Sequence, residues 1–328
     1  MNIKLSINLV TWNAEKYLPA LVESLKRQTF KCWSLFVLDN FSTDNTVQLI
    51  GKDLDNLSVQ SFFIKEQKNI GFASAHNRLF SESKSQYILV LNQDIIMSDN
   101  CLEKLVSFLD NHLRVGAVAP RLMKYKEPNI IDSLGLKVLR SGRIIDDFAG
   151  KNFLAEKFYA ESNESRHVFG VSASCAMYRR EALEKTAFNK TEVFDESYFS
   201  YKEDIDLAYR LNFIGYDSYV LMDAIAFHDR TGAMPSNLGD RSALKNKKKQ
   251  SDLIKYYSYK NHIATLYKNL SFKKFVLSFP FIFFYELKKF CFFLLFDRSV
   301  LRGLSDLWKT REQIKKRRRL VNKVKVGK

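Results

Sequence analysis

Asp94, the pair Glu203-Asp204 and His228 are the residues whose types and settings could do chemistry. Asp94 follows a strand-forming run, Ile88 to Leu91, after two more polar residues, Asn92 and Gln93, and the chain then turns apolar again. Open α/β sheets gather ligands at the carboxyl ends of buried strands, so Asp94 either holds a hard cation or caps the next turn. Lys202-Glu203-Asp204-Ile205-Asp206 opens a helical pattern. Acids there complement the helix dipole, but three in four residues exceed what capping needs. One of them beside an apolar stripe could take a proton as general base. His228 directly follows the strand-like run Val220 to Phe227, either as an ordinary surface or core side chain or as a metal ligand beside Asp94.

Alternating elements must position these groups. Leu5 to Thr11 reads as a strand, and Leu18, Leu21, Val22 and Leu25 recur at helical spacing. Ser34 to Leu38 is a second strand, ending in the turn and cap cluster Asp39 to Thr46. Val59 to Ile64 is a third strand, Asn69 to Phe72 a turn, and Ala73 to Ser83 a helix. After Asp94, Asp99 caps a helix with Leu102, Leu105, Val106 and Leu109, and Val115 to Ala119 is a further strand. Strands alternating with helices of this length predict an α/β fold with a mostly parallel, Rossmann-like sheet. No G-x-G-x-x-G follows the first strand and no phosphate loop occurs, so bound phosphates need another source of positive charge. Residues 120–170 read as loops and short strands, and Val168 to Tyr178, rich in small residues, as a close-packed strand or a backbone that approaches a ligand.

Charge is unevenly placed along the 328 residues. Residues 236–328 hold 24 Lys and Arg against 6 Asp and Glu, whereas residues 1–235 are close to neutral, so the basic character belongs to a tail that meets an anionic surface. Cys32, Cys101, Cys175 and Cys291 form no zinc spacing and read as buried thiols in a reducing compartment. The apolar start is too short and too polar for a signal peptide, which places the catalytic part in the cytoplasm.

Five segments in order resemble the family 2 glycosyltransferases of the GT-A fold over roughly residues 3–232. They are S-I-N-L-V-T-W-N, L-D-N-F-S-T-D-N-T, N-I-G-F-A-S-A-H-N, L-N-Q-D, and F-D-E-S-Y-F-S-Y-K-E-D-I-D-L-A-Y-R with His228 beyond. The resemblance implies that Thr11 and Asn13 line a nucleotide pocket, Asp39 accepts the imide N–H of uracil or thymine, and Asn69 and Asn77 shape the floor. It implies that Asp94 holds Mg2+ or Mn2+ against the donor diphosphate with His228 as a further ligand, that Asn92 lies near the ribose, and that Asp204 is the catalytic base. Phe41 and Asn45 stand where the family often has Gly, Gln93 where it has Pro, and Arg78 where Gly is frequent.

The motif spacing and the segment Tyr256-Tyr257-Ser258-Tyr259-Lys260-Asn261 most resemble the rhamnosyltransferase-like branch. That implies an inverting, metal-dependent transferase using dTDP-L-rhamnose or a UDP-hexose on a lipid-linked glycan acceptor. The organisation expected is a GT-A domain over 1–235 and a basic, Phe-rich helical region over 236–328. Phe275 to Phe296 is interrupted by Pro280, Glu286, Lys288 and Lys289 and suits the membrane interface better than a span, on the cytoplasmic face of the inner membrane. Nucleic-acid binding suits so dense a Phe cluster less well, and a helix packing on the first domain is the remaining alternative. A membrane-bound sugar-nucleotide or glycan binding module without turnover is the rival function. A nucleotidyltransferase lacks its N-terminal glycine- and lysine-rich loop here.

Overall fold

The structure is a computed structural model that describes residues 3–55, 57–156, 164–230 and 251–326. Strands β1 (Leu5–Thr11), β2 (Trp33–Asp39), β3 (Ser61–Lys65) and β4 (Tyr87–Asn92) lie parallel, in the order β4-β1-β2-β3. Between them run α1 (Leu18–Lys26), α2 (Thr46–Asp55) and α3 (Gly71–Glu82). β1 sends Leu5, Ile7 and Leu9 into the core under α1 with polar Ser6 and Asn8 between them, whereas β4 is apolar on both faces, so that Leu89 and Leu91 join that core while Ile88 and Val90 join the one under α3.

Beyond Asp94 the sheet becomes mixed. The short β5 (Ile95–Met97) pairs antiparallel with β12 (Asp217–His228), and α4 (Cys101–Asn111) covers the α1 face. Asn100, not Asp99, stands at the N-cap of α4, and the Asp99 carboxylate instead accepts from Arg27 at 3.0 Å. Strand β6 (Val115–Lys124) runs five residues past the expected end, through Pro120. Pro cannot donate to a ladder, and β12 accommodates it with a register shift between Leu221 and Ile225 opposite it. β7 (Ile131–Ser133) pairs with β6, and β8 (Leu136–Val138) and β9 (Ile144–Asp146) form a separate hairpin.

The small-residue stretch read as one strand is two. β10 (Ser165–Val168) pairs with β12, and β11 (Cys175–Arg179) lies antiparallel between β4 and β6. The intervening turn packs Gly170 against α6 (Glu203–Phe213), where a Cβ would sit 2.4 Å from that of Ala208. α5 (Arg180–Thr186) precedes α6 on the α3 face. Of the cysteines, Cys101 and Cys175 are buried as expected, Cys32 is half-buried, and Cys291 is exposed.

Among the described residues four α-helices follow: α7 (Asp252–Asn269), α8 (Phe272–Phe296), α9 (Arg302–Lys309) and α10 (Arg311–Val326). The expected boundary at residue 235 lies outside the described residues. α7 and α10 pack on the sheet domain through charge that is almost wholly buried. Lys268 is 1% exposed, ion-paired with Asp195 and, at 2.8 Å, with Asp206, while Arg210 donates to Asp206 at 3.0 Å and Arg317 pairs with Glu192. Burial disfavours the Asp195 carboxylate, but Lys268 and then Arg317 outweigh it and hold its pKa well below the usual range.

α8 behaves otherwise. Only Ile282 and Phe293 of its 25 residues are buried, whereas Phe272, Leu277, Phe284, Leu295 and Phe296 are each at least 67% exposed. Among the described residues no helix is long and apolar enough to cross a membrane.

Candidate active site

The carboxyl ends of β1 and β2 carry loops laced to each other. Thr11 donates through its hydroxyl to Asp39 Oδ1 at 3.1 Å, Ser42 donates its hydroxyl to the same oxygen at 2.5 Å, and the Ser42 N–H donates to Oδ2 at 3.0 Å. Asp39 is fully buried, so these donors supply what water would. Asn13, at φ 49°, accepts from the Thr43 N–H at 2.9 Å, and its own N–H donates to Ser42 Oγ. Asn is among the few side chains that take a left-handed φ readily. Asn40 reaches across to accept from the Ile70 N–H at 2.8 Å and to donate to Asn69, whose Oδ1 also accepts from the Gly71 N–H. Gly71 has φ 82° and no room for a side chain: a Cβ would lie 2.5 Å from the Phe199 carbonyl oxygen.

The positions that depart from the family pattern are absorbed locally. Gln93 clasps the Trp12 backbone, accepting from its N–H at 2.8 Å and donating to its carbonyl at 3.1 Å. Asn45 donates to Glu15, Arg78 pairs with Glu66, and Phe41 takes φ 71° with its ring half exposed. Asn77 sits in the middle of α3, not at the turn. Its amide donates to the Phe194 carbonyl and Glu196, and its oxygen accepts from the Val193 and Phe194 N–H groups, so the side chain is spent holding residues 193–196.

Asp94 and His228 meet because β5 and β12 pair. His228 Nε2 lies 3.3 Å from Asp94 Oδ1, and the Asp229 N–H donates to the Asp94 carbonyl at 3.0 Å. The other ring nitrogen, Nδ1, lies 2.9 Å from Asp132 Oδ2 on β7. Arg230 donates to that same Asp132 oxygen at 2.9 Å and reaches Asp146 on β9 at 3.5 Å. Burial opposes a charged His228 ring, but the hydrogen bonds to Asp132 and Asp94 outweigh it and raise its pKa. For Asp132, burial is likewise outweighed, here by Arg230 and then His228, and its pKa falls.

Asn92, part-exposed, ends β4 with its N–H donating to the Ser174 carbonyl at 2.8 Å. One residue back, the Ala173 N–H faces Asp204 Oδ2 at 3.4 Å, while the Ile205 N–H donates to Oδ1 at 2.8 Å. Burial raises the Asp204 pKa and Asp146 adds to it, against Lys202 and these N–H groups. Glu203, buried beside it, is raised as well, by burial and then by Asp204. Asp206, the third acid, faces Lys268, Arg210 and Asn269 instead and serves the packing of α7.

The residues leading into Asp204 carry unusual backbone. Phe199 (φ 62°, ψ −62°) forms a γ-turn closed by the Ser200 N–H on the Tyr198 carbonyl at 2.6 Å, Tyr201 has φ 69°, and Lys202 has φ 76°. Each such non-glycine residue costs about 1–2 kcal/mol. Sequence reasoning did not single out Asp132, Asp146 or Arg230, and it quoted Lys202 and this loop only as part of a motif, without their backbone. Arg230 stands two residues after His228, and Asp132 sits within a short apolar run, but neither spacing is distinctive.

The donor set fits a magnesium- or manganese-type ion. Among the described residues no group of three or more His, Cys, Asp and Glu could hold a metal. One carboxylate and one imidazole with an oriented Nδ1 leave positions for phosphate oxygens and water, which is how such ions are usually bound beside a nucleotide.

The sequence-family model "Glycosyl transferase family 2" matches residues 6–187. An N-acetylglucosaminyl-diphospho-decaprenol L-rhamnosyltransferase from Mycobacterium tuberculosis is 26% identical over 253 residues, 71% of this chain and 79% of that protein. The O-antigen chain rhamnosyltransferase RfbN of Salmonella typhimurium is 26% identical over 212 residues, 64% of this chain and 63% of that protein. The solved structure of mannosyltransferase PcManGT from Pyrobaculum calidifontis, in complex with GDP-Man and Mn2+, is similar in fold, with TM-score 0.55 at 12% identity over 94% of this chain and 76% of that one. With more than half its length matched, and with the ordered loops and mixed sheet described above, the chain belongs to glycosyl transferase family 2 and is a transferase enzyme with a GT-A-like fold.

Proposed function

We propose that this enzyme is an inverting, metal-dependent glycosyltransferase that moves L-rhamnose from dTDP-L-rhamnose onto a lipid-linked glycan acceptor. It would act at the cytoplasmic face of the membrane, in synthesis of a cell-surface polysaccharide of O-antigen or capsule type. The observation that carries this reading is the convergence at one edge of the sheet of Asp94 with His228, linked through Asp132, Arg230 and Asp146 to the environment of Asp204.

In this reading Asp39 accepts the imide N–H of the pyrimidine, with Thr11 and Asn13 shaping its pocket and Asn69 the adjoining turn. Asn92 lies toward the ribose. Asp94 and His228 would hold Mg2+ or Mn2+, which when bound supplies Lewis-acid stabilisation to the departing diphosphate. Asp204 takes the proton of the acceptor hydroxyl, whose pKa lies far above 7, as the new bond forms on the opposite face of the anomeric carbon. Its raised pKa suits a base that must hold that proton, and burial among Ala173 and α6 keeps water from competing.

The acceptor and donor are argued from two relatives named as rhamnosyltransferases, one of them by a decaprenol-linked acceptor. The exposed apolar face of α8 supports attachment to a membrane surface. Leu277, Phe284 and Leu295 share one side of the helix, whose Lys273, Lys274 and Lys288 are also exposed, and α10 is strongly basic. Each cation near an anionic leaflet adds about 1 kcal/mol. The test is release of nucleoside diphosphate by the purified protein with lipid-linked acceptor extract, across dTDP-, UDP- and GDP-sugars. Release from dTDP-L-rhamnose that EDTA abolishes is expected. Release from a UDP-hexose alone would replace the donor, and EDTA-resistant release would remove the metal.

A further inference from the structure

We infer that Asn261, on α7, is a positioning residue for Asp204: it clamps the left-handed loop that delivers the base into the site. The inference rests on the proposed role of Asp204. Asn261 is fully buried, and its Nδ2 lies within hydrogen-bond distance of three carbonyls of the loop, those of Tyr198 at 2.9 Å, Ser200 at 2.8 Å and Tyr201 at 2.8 Å, which share its two N–H hydrogens. These residues include the γ-turn at Phe199 and the positive-φ pair Tyr201 and Lys202, and Lys202 is the N-cap of the helix whose second residue is Asp204.

Strained backbone persists only when surrounding contacts over-determine it. The loop is covered from two sides. Phe199 stacks on Tyr257 of α7 with ring centroids 5.0 Å apart, and its carbonyl accepts from the Ala73 N–H beside the Gly71 turn. Among the described residues, Asn261 supplies the side-chain donors to the Tyr198, Ser200 and Tyr201 carbonyls, the first of which also closes the γ-turn with the Ser200 N–H. The Asn261 Oδ1, by contrast, has no hydrogen-bond partner among the described residues. Burying an unmet acceptor is costly, and an apolar side chain of similar size would fill the space without that cost. What the amide alone provides is donors to the loop.

The consequence is a division of labour that a donor-binding measurement separates from turnover. Among the described residues the donor loops on β1, β2 and the Asn69 turn make no hydrogen bond to α7, and the clamped loop meets that turn at Phe199, whose carbonyl Ala73 and not Asn261 holds, so releasing the clamp moves the base more than the nucleotide pocket. Displacing a catalytic group by about 1 Å can cost about a hundredfold in rate.

The experiment uses the full chain with Asn261→Ala and the near-isosteric Asn261→Asp, whose carboxylate has no proton to give the carbonyls. In both, kcat is expected to fall about 10- to 100-fold while the dissociation constant for the donor nucleotide, read by calorimetry, changes less than twofold. Ala264→Gly, also buried on α7 but without a bond to the loop, is the control for general destabilisation, and its kcat should stay within twofold. Adding Tyr201→Gly to Asn261→Ala should restore part of kcat, because glycine takes positive φ without a clamp. If Asn261→Ala does not fold, Asn261→Ser, which keeps one donor, is read the same way. Unchanged kcat in the Asn261 variants, or an equal loss in Ala264→Gly, overturns the inference. Asp204→Asn is run alongside: if it retains turnover, the role of Asp204 fails, and that failure is distinct from failure of the clamp.

Discussion

The two rims of the site are held in opposite ways. On the donor rim, loops about 30 residues apart in sequence close on each other through Ser, Thr and Asn side chains and one buried carboxylate, Asp39. On the rim that carries Asp204, the loop is held from helices far away in sequence. Asn261 reaches it across about 60 residues, and Lys268 and Arg317 anchor those helices through buried ion pairs with Asp195, Asp206 and Glu192. A lattice of bonds between neighbouring loops can be rigid on its own. A strained loop pinned by a distant helix is only as well placed as that helix, so if Asp204 is the base, the basic C-terminal region is part of the catalytic unit as well as a candidate membrane anchor.

Three variants sharpen this contrast. The largest effect is expected outside both rims, on α8. Replacing Leu277, Phe284 and Leu295 together with Glu removes three side chains, each contributing about 1.5–3 kcal/mol when buried, and sets charge against an anionic leaflet. Co-sedimentation with vesicles containing anionic lipid should drop more than a hundredfold, while thermal stability and turnover on a soluble acceptor analogue stay near those of the parent. Unaltered vesicle binding would remove α8 as the anchor.

Next comes Lys268→Met, which leaves Asp195 and Asp206 buried without their shared cation. Breaking such a pair costs about 3–5 kcal/mol, measurable as a shift in the denaturant midpoint. The pH dependence has a definite sign. The Asp195 pKa is depressed in the folded chain, so its contribution is present above the unfolded value near about 4 and is lost as pH falls through the folded value. In Lys268→Met the deficit should therefore be greatest near neutrality and narrow as pH drops through the carboxylate range. A deficit independent of pH would show that packing, not charge, is what was lost.

The smallest effect belongs to the donor rim. Gln93→Ala removes the clasp on Trp12 but leaves the Thr11, Asn13, Ser42 and Asp39 bonds intact. Donor affinity should weaken by about 1 kcal/mol, roughly fivefold, with kcat little changed. A collapse of both would mean that the donor rim is no more self-supporting than its neighbour.

Legibility in the sequence follows the same line. The parallel strands β1 to β4 and the cap-rich loops after β1 and β2 could be read because apolar runs and local turn chemistry write them directly, whereas the approach of Asp94 to His228 was implied by the family resemblance. Val168 to Tyr178 could not be divided into β10 and β11, since small apolar residues carry no signal for strand direction. Asp99 was misread as a cap because a surface Arg27 competes for it. Asn261 and Lys268 are residue types normally found in water, and only the assembled fold reveals them as buried. Asp206 illustrates the limit: three acids in one turn look alike in sequence, yet one faces the site, one shares its burial and one neutralises a distant lysine.

The measurement that tests the account most directly is turnover and donor binding in Asp204→Asn. The account predicts a loss in kcat of about 10²- to 10⁴-fold with the nucleotide dissociation constant unchanged. It also predicts that the parent enzyme gains activity with rising pH along an acidic limb above the ordinary carboxylate range, because burial, aided by Asp146, raises the pKa of Asp204 against the opposing pull of Lys202, while Glu203 beside it shares the titration. Turnover in Asp204→Asn within a few-fold of the parent would contradict it.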